Sequence, residues 1–139
     1  MDVGHLPTWQ VSRNPKLAWG FYGHRLSLYR ETVPHEGFAI LRRWADRMSH
    51  GAFVFASNVD GQFQKAGFSE SQVYECHGSI HALQCLEGCT NDTWPAEEFR
   101  PLVNEKTSEL ESPMPRCPRC ACASKYSNVR RLGMGRGAI

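Results

Sequence analysis

No apolar run in this 139-residue chain approaches the roughly 18 residues that a membrane helix needs, so neither a spanning segment nor a membrane partner is expected. The N-terminus also lacks the apolar stretch of a signal peptide, which places the expected compartment in the cytoplasm, where thiols stay reduced. Charge of one sign is nearly absent as an excess: 16 Lys and Arg face 14 Asp and Glu, giving +2 and a pI near 8.3. Such a balance argues against a nucleic-acid partner, because the only basic cluster, Arg130, Arg131 and Arg136, lies in the tail. No internal repeat occurs. Against these absences stand 41% hydrophobic and 11% aromatic residues, enough to bury a core in one domain or part of one.

Residues 1–13 are polar and proline-containing and read as a lead-in. From Pro15 to about Arg30, Leu17, Ala18, Phe21, Tyr22, Leu26 and Tyr29 recur at spacings of three and four, which predicts an amphipathic helix. Pro34 suits the first turn of a second helix, with Phe38, Leu41, Ala45 and Met48 as its inner stripe and His50-Gly51 as its stop. Trp19 and Trp44 fall within these apolar patterns and are expected in the core. "AFVFAS", residues 52–57, predicts a parallel strand covered on both faces. Ligands of open α/β sheets bind beyond the carboxyl ends of such strands, where Asn58 and Asp60 stand. A short helical or turn segment ends at Gly67. "QVYEC" and "IHALQC" then read as strands on either side of His77-Gly78, and Thr90–Pro115 reads as an irregular excursion with a helical turn or two.

Six cysteines in a reducing compartment are better suited to metal or chemistry than to disulfides. Cys85-x3-Cys89 and Cys117-x2-Cys120 form two pairs with 27 residues between them. Tetrahedral zinc takes four thiolate or imidazole ligands, and pairs two to four residues apart bring two sulfurs to one ion by a tight turn. Four cysteines fill the shell, so the expected Zn²⁺ is structural. Cys76 and Cys122 are left over; Cys122 is an alternative to Cys120, although the shorter turn fits better.

His77 follows a predicted strand and precedes Gly78, which permits close approach of backbone or ligand. Together, "SNVDGQFQKAG", "VYECHGSIHALQC" and the two cysteine pairs resemble the central segment of the sirtuins, NAD-dependent protein-lysine deacylases. Upstream, "FYGHRLSLYRETVPHEGFAILRRWA" is similar to that family's paired helices, and the resemblance covers residues 15–120 or so. It implies a partial Rossmann-like α/β NAD-binding domain over 14–84 and a small zinc-binding module over 85–120. His77 would be the general base, suited by an unperturbed imidazole pKa of about 6.5. In this family the acyl oxygen attacks the nicotinamide ribose, and the base then deprotonates a ribose hydroxyl that takes over the acyl group. Asn58 would bind the ribose or its water, Asp60 the nicotinamide carboxamide, and Ser57 would stand where the family usually has Gln. Glu75 would be structural. Zn²⁺ would sit on Cys85, Cys89, Cys117 and Cys120, and the substrate would be an acyl-lysine protein or peptide.

Two departures accompany the resemblance. Ser57 is too short to make the usual Gln contact, and Gln62-Phe63-Gln64 replaces the usual Leu-His after Asp60. The family's Gly-Ala-Gly phosphate loop, its Pro-Asp-Phe-Arg and its Gly-Thr-Ser motif do not occur, so the resemblance implies a truncated copy, expected to be inactive as written. After Cys120 the tail, 121–139, loses the family pattern and is expected to be unstructured. Codons compatible with Lys125–Gly135, read one base later, give Asn-Ile-Leu-Met-Phe-Gly-Asp-Trp-Gly-Trp, which suggests a frameshift shortly after Cys120. A reading from a different class is a zinc-binding interaction module without catalysis; a nucleic-acid-binding zinc ribbon is the weaker third.

Overall fold

The computed structural model describes residues 13–127 together with 131 and 132. The expected lead-in and the end of the tail lie outside the described residues. Helix α1, Pro15–Glu31, starts where Asn14 accepts from the Leu17 amide at 3.2 Å and where Pro15 needs no donor of its own. Its last carbonyls are taken up from elsewhere in the chain. Lys65 Nζ donates to the carbonyls of Arg30 and Thr32 at 2.6 Å and of Tyr29 at 3.2 Å, placing a cation at the negative helix end. Helix α2, Glu36–Ala45, begins after Pro34 rather than around it, because the His35 ring supplies the cap, accepting from Gly37 N at 3.1 Å.

Among the described residues the strands form two three-stranded sheets. In the first, β1 (Val54–Ala56) pairs in parallel with β2 (Val73–Glu75), and β2 pairs with a two-residue strand at Arg131–Leu132. Between β1 and β2 lie helix α3 (Gln62–Lys65) and a 3-10 turn, Glu70–Gln72, closed by a Ser69/Gln72 capping box. In the second sheet β3 (Ser79–Cys85) is central, antiparallel to β4 (Thr93–Pro95) and β5 (Ser124–Ser127). His77 and Gly78 are thus the junction at which the chain leaves one sheet and enters the other.

The larger core lies between α1 and the second sheet. Ala18, Trp19, Tyr22 and Leu26 on one helix face meet Ile80, Leu83, Ala96, Leu110 and Tyr126. Trp19 Nε1 donates to the Ser124 carbonyl at 2.9 Å inside this core, tying α1 to β5. Gly20 and Gly23 let the excursion lie directly on the helix: a Cβ at Gly20 would stand 1.9 Å from the Ser108 carbonyl oxygen, and one at Gly23 2.6 Å from Pro101 Cβ. Arg30 adds a clamp, donating to the carbonyls of Phe99 at 2.7 Å and Ala96 at 2.5 Å. The smaller core gathers Ala45, Phe68 and Val73, with Val54 and Phe63 packed against it.

Several expectations need correction. The tail is not irregular throughout, since β5 is a buried strand; serines at 124 and 127 are small enough to pack closely there, a pattern with no apolar periodicity to announce it. The boundary expected between 84 and 85 lies at the last step of β3, which ends on Cys85. Strand β1 is not covered on both faces, because Phe53 and Phe55 are 58% and 68% exposed. Trp44 is likewise 56% exposed, because the helix turns its neighbour Ala45 inward instead, and Leu41 and Met48 are exposed with it. The excursion holds a short strand and one isolated bridge, Val103 with Leu110, and no helix.

Candidate functional site

The parallel pairing of β1 and β2 brings the chemistry to one place. Ala56 is in register with Glu75, so Asn58 and His77, each two residues further on, emerge at the same end of the sheet. The Cys76 amide donates to the Ala56 carbonyl at 3.0 Å and carries the pairing to the residue before His77. Gly78 follows with φ of +79°, the left-handed turn that diverts the chain into β3. Ser57, Asn58, Asp60 and His77 all line a cavity of about 320 Å³ at this end. That is the low end of the range for small-ligand sites, about 300–1,000 Å³.

The far wall comes from α1 and β5. Tyr22, Arg25 and Tyr29 are spaced three and four apart on one helix face and line the cavity with Phe21, Ile80 and Tyr126. Arg25 is held by the Tyr29 hydroxyl at 3.2 Å and lies over the Phe21 ring at 5.3 Å. Burial pushes the Tyr22 phenol above its ordinary value, and the charge and hydrogen bond of Tyr126 add to this, so Tyr22 is a neutral hydroxyl at physiological pH. Sequence reading placed Phe21, Tyr22 and Tyr29 on the apolar stripe of the helix and missed the part that they, Arg25 and Tyr126 play in the cleft. The available signal was Arg25, a cation interrupting the inward stripe.

Asp60 is shaped locally. Its carboxylate accepts from the Gln62 amide at 3.0 Å, and its carbonyl accepts from His81 Nε2 at 2.8 Å. Gln62, one of the expected departures, is buried; its amide donates to the Tyr29 carbonyl at 3.2 Å, while its side-chain oxygen has no partner. Phe63 turns the other way, into ring contacts with Phe38 and Phe68.

The four cysteines stand apart from the cleft, none of them lining it. The sulfurs of Cys85, Cys89, Cys117 and Cys120 all lie within 4.8 Å of one another, with Cys85–Cys120 and Cys89–Cys117 at 3.6 Å. A tetrahedral ion bound at about 2.3 Å needs sulfur spacings near about 3.8 Å, so the thiols suit zinc without rearrangement. Both turns use left-handed backbone, Gly88 at φ +68° before Cys89 and Ala121 at φ +58° after Cys120. The Cys89 backbone amide is the main influence holding the Cys85 thiol down to about 6, and the neighbouring Cys120 and Cys85 side chains push Cys89 up. Cys122 is outside this set; its carbonyl accepts from Cys117 N at 2.8 Å and closes the second turn.

The described residues thus form an α/β fold with a cavity at the ends of two parallel strands, joined to a module whose four cysteines could hold a metal ion. A family model described as the Sir2 family matches residues 6–129, and the chain belongs to that family. The match continues past Cys120, where the family pattern was expected to break off. A probable bifunctional ADP-ribose hydrolase/ADP-ribosyltransferase of Fusarium oxysporum f. sp. cubense is 30% identical over 121 residues, covering 83% of this chain and 20% of the relative. The NAD-dependent protein deacylase of Leptospira interrogans serogroup Icterohaemorrhagiae serovar copenhageni (strain Fiocruz L1-130) is 30% identical over 110 residues, 78% of this chain and 39% of its own length. Among solved structures, a Sir2 homolog–NAD complex superposes with a TM-score of 0.66 at 20% identity, covering 84% of this chain and 40% of that one, which shows the fold. The chain thus spans about two fifths or less of the length of these relatives. No helix among the described residues is long and apolar enough to cross a membrane.

Proposed function

We propose that this chain carries the base-and-nicotinamide side of an NAD-dependent protein-lysine deacylase site, acting on acyl-lysine proteins or peptides. The observation that carries the reading is the convergence of Ser57, Asn58, Asp60 and His77 on one cavity at the carboxyl ends of two parallel strands. His77, exposed at the cavity wall, is the general base that takes a proton from a ribose hydroxyl. Asn58 orients that ribose or its water, and Asp60 accepts from a carboxamide. NAD, when bound, supplies the ribose that receives the acyl group and the nicotinamide that departs. Residues 14–84 provide this face, and a zinc ion on Cys85, Cys89, Cys117 and Cys120 holds the module built on 85–120. The unpaired thiols fit a reducing, cytoplasmic setting.

The test is NAD titration of the zinc-loaded full chain, followed by deacylation of an acetyl-lysine peptide. NAD binding weakened in Asp60→Ala, with any turnover falling about a hundredfold or more in His77→Ala, is the expected result. A second reading, a zinc-binding interaction module without a reaction, draws on the completeness of the four-sulfur cluster. Full zinc occupancy with no NAD affinity at millimolar concentration would favour it and overturn the first.

A further inference from the structure

We propose that His81 is a positioning residue: from the second sheet it fixes the Asn58–Gly61 turn that presents Asn58 and Asp60 to the cleft. Two consecutive carbonyls of that turn are bonded by two consecutive residues of β3. The Ile80 amide donates to the Val59 carbonyl at 3.0 Å, and the His81 ring bonds the Asp60 carbonyl at 2.8 Å. A carbonyl can only accept, so the ring must carry its proton on Nε2. The same ring sits against Gly61, where φ is +69° and an added Cβ would lie 3.0 Å from His81 Cδ2. Asp60 is therefore held at both ends, its carbonyl by His81 and its carboxylate by the Gln62 amide. Because His81 is four residues beyond His77 on the same continuous segment, it ties the spacing between His77 and Asp60 to the rigidity of β3. Misplacement of reacting groups by about 1 Å can cost on the order of a hundredfold in rate, so such a tie has chemical consequence. His81 touches no ligand-facing atom and acts through Asp60; its value to the reaction rests on the function proposed above.

Amide exchange and ring NMR of the full zinc-loaded chain test the hold on the turn without reference to activity. The His81 ring should show the Nε2-protonated tautomer. In His81→Phe the Ile80 and Gln62 amides should exchange about tenfold faster, the loss of one hydrogen bond's protection, and His81→Gln, which keeps a donor, should restore much of it. The Ala96 amide, which donates to the His81 backbone carbonyl, should stay protected and so show that β3 and β4 remain intact. NAD titration then adds the ligand arm, with His81→Phe weakened about tenfold and His81→Gln close to the parent. Unchanged exchange at Ile80 and Gln62, an Nδ1-protonated ring, or tight NAD binding in His81→Phe would each overturn the proposal. Absence of NAD binding in the parent chain would instead count against the proposed function, with the exchange data still deciding the role of His81.

Discussion

Tyr22 faces both the core and the cleft, and its phenol must stay neutral to do so. Its folded pKa is raised above the ordinary 10.0 by burial first and by Tyr126 second. A raised folded pKa contributes stability that is fully present below the unfolded value and is lost as pH climbs above it. Thermal melts should therefore show a falling Tm above about pH 10, and Tyr22→Phe should flatten that fall. At Trp19 the linkage is a hydrogen bond. Trp19→Phe leaves the buried Ser124 carbonyl without its donor and should cost on the order of 1–3 kcal/mol in urea unfolding. The residues most legible in the sequence were those whose neighbours in the chain define them. Asn58, Asp60 and His77 follow short strands within a few positions, and the cysteines come as spaced pairs. Arg25 and Tyr126 were not legible as cleft residues, because they reach it only through packing of α1 and β5.

Between elements, α1 is the organising member. Its inner face builds the large core, Gly20 and Gly23 accept the excursion, and its carboxyl end receives Lys65 from α3. Gly20→Ala should be costly because the obstacle is the Ser108 backbone rather than a side chain that could swing aside. A loss of about 1–3 kcal/mol, read by chemical denaturation, is expected, and wild-type stability in that variant would show the contact to be loose. Helix α1 was readable because its apolar period is strong and Pro15 marks its start. Helix α2 was readable as an element but not in its facing: Ala45 is buried while Trp44 and Leu41 are not, and the period alone cannot say which apolar residues find a partner. Strand β5 was unreadable for the opposite reason. Its inward residues include two serines, so its existence depends on β3 rather than on its own composition.

In the molecule as a whole, the cysteine clip and the cleft share one core. Cys85 ends β3 and Cys117 and Cys120 precede β5, the two strands that supply Ile80 and Tyr126 to the cavity. A structural zinc ion can contribute on the order of 10 kcal/mol to folding its module. Chelation, or any one of the four Cys→Ser changes, should thus loosen the second sheet and remove ligand binding at a cleft the cysteines do not touch. Circular dichroism and NAD titration before and after metal removal check this together. Retention of the cleft in the metal-free protein would mean that the two units fold separately.

Phe55 on β1 and Phe53 just before it stand open to water, and β1 is an edge strand of its sheet among the described residues. Unpaired amides and carbonyls beside exposed rings form a template for another strand. The practical consequence is colloidal: the working concentration of this protein should be limited by strand-to-strand association well before its fold fails. Phe55→Lys should reduce the heavier species seen by sedimentation velocity while leaving the melting temperature nearly unchanged. An unaltered sedimentation profile would place the source of association elsewhere on the surface.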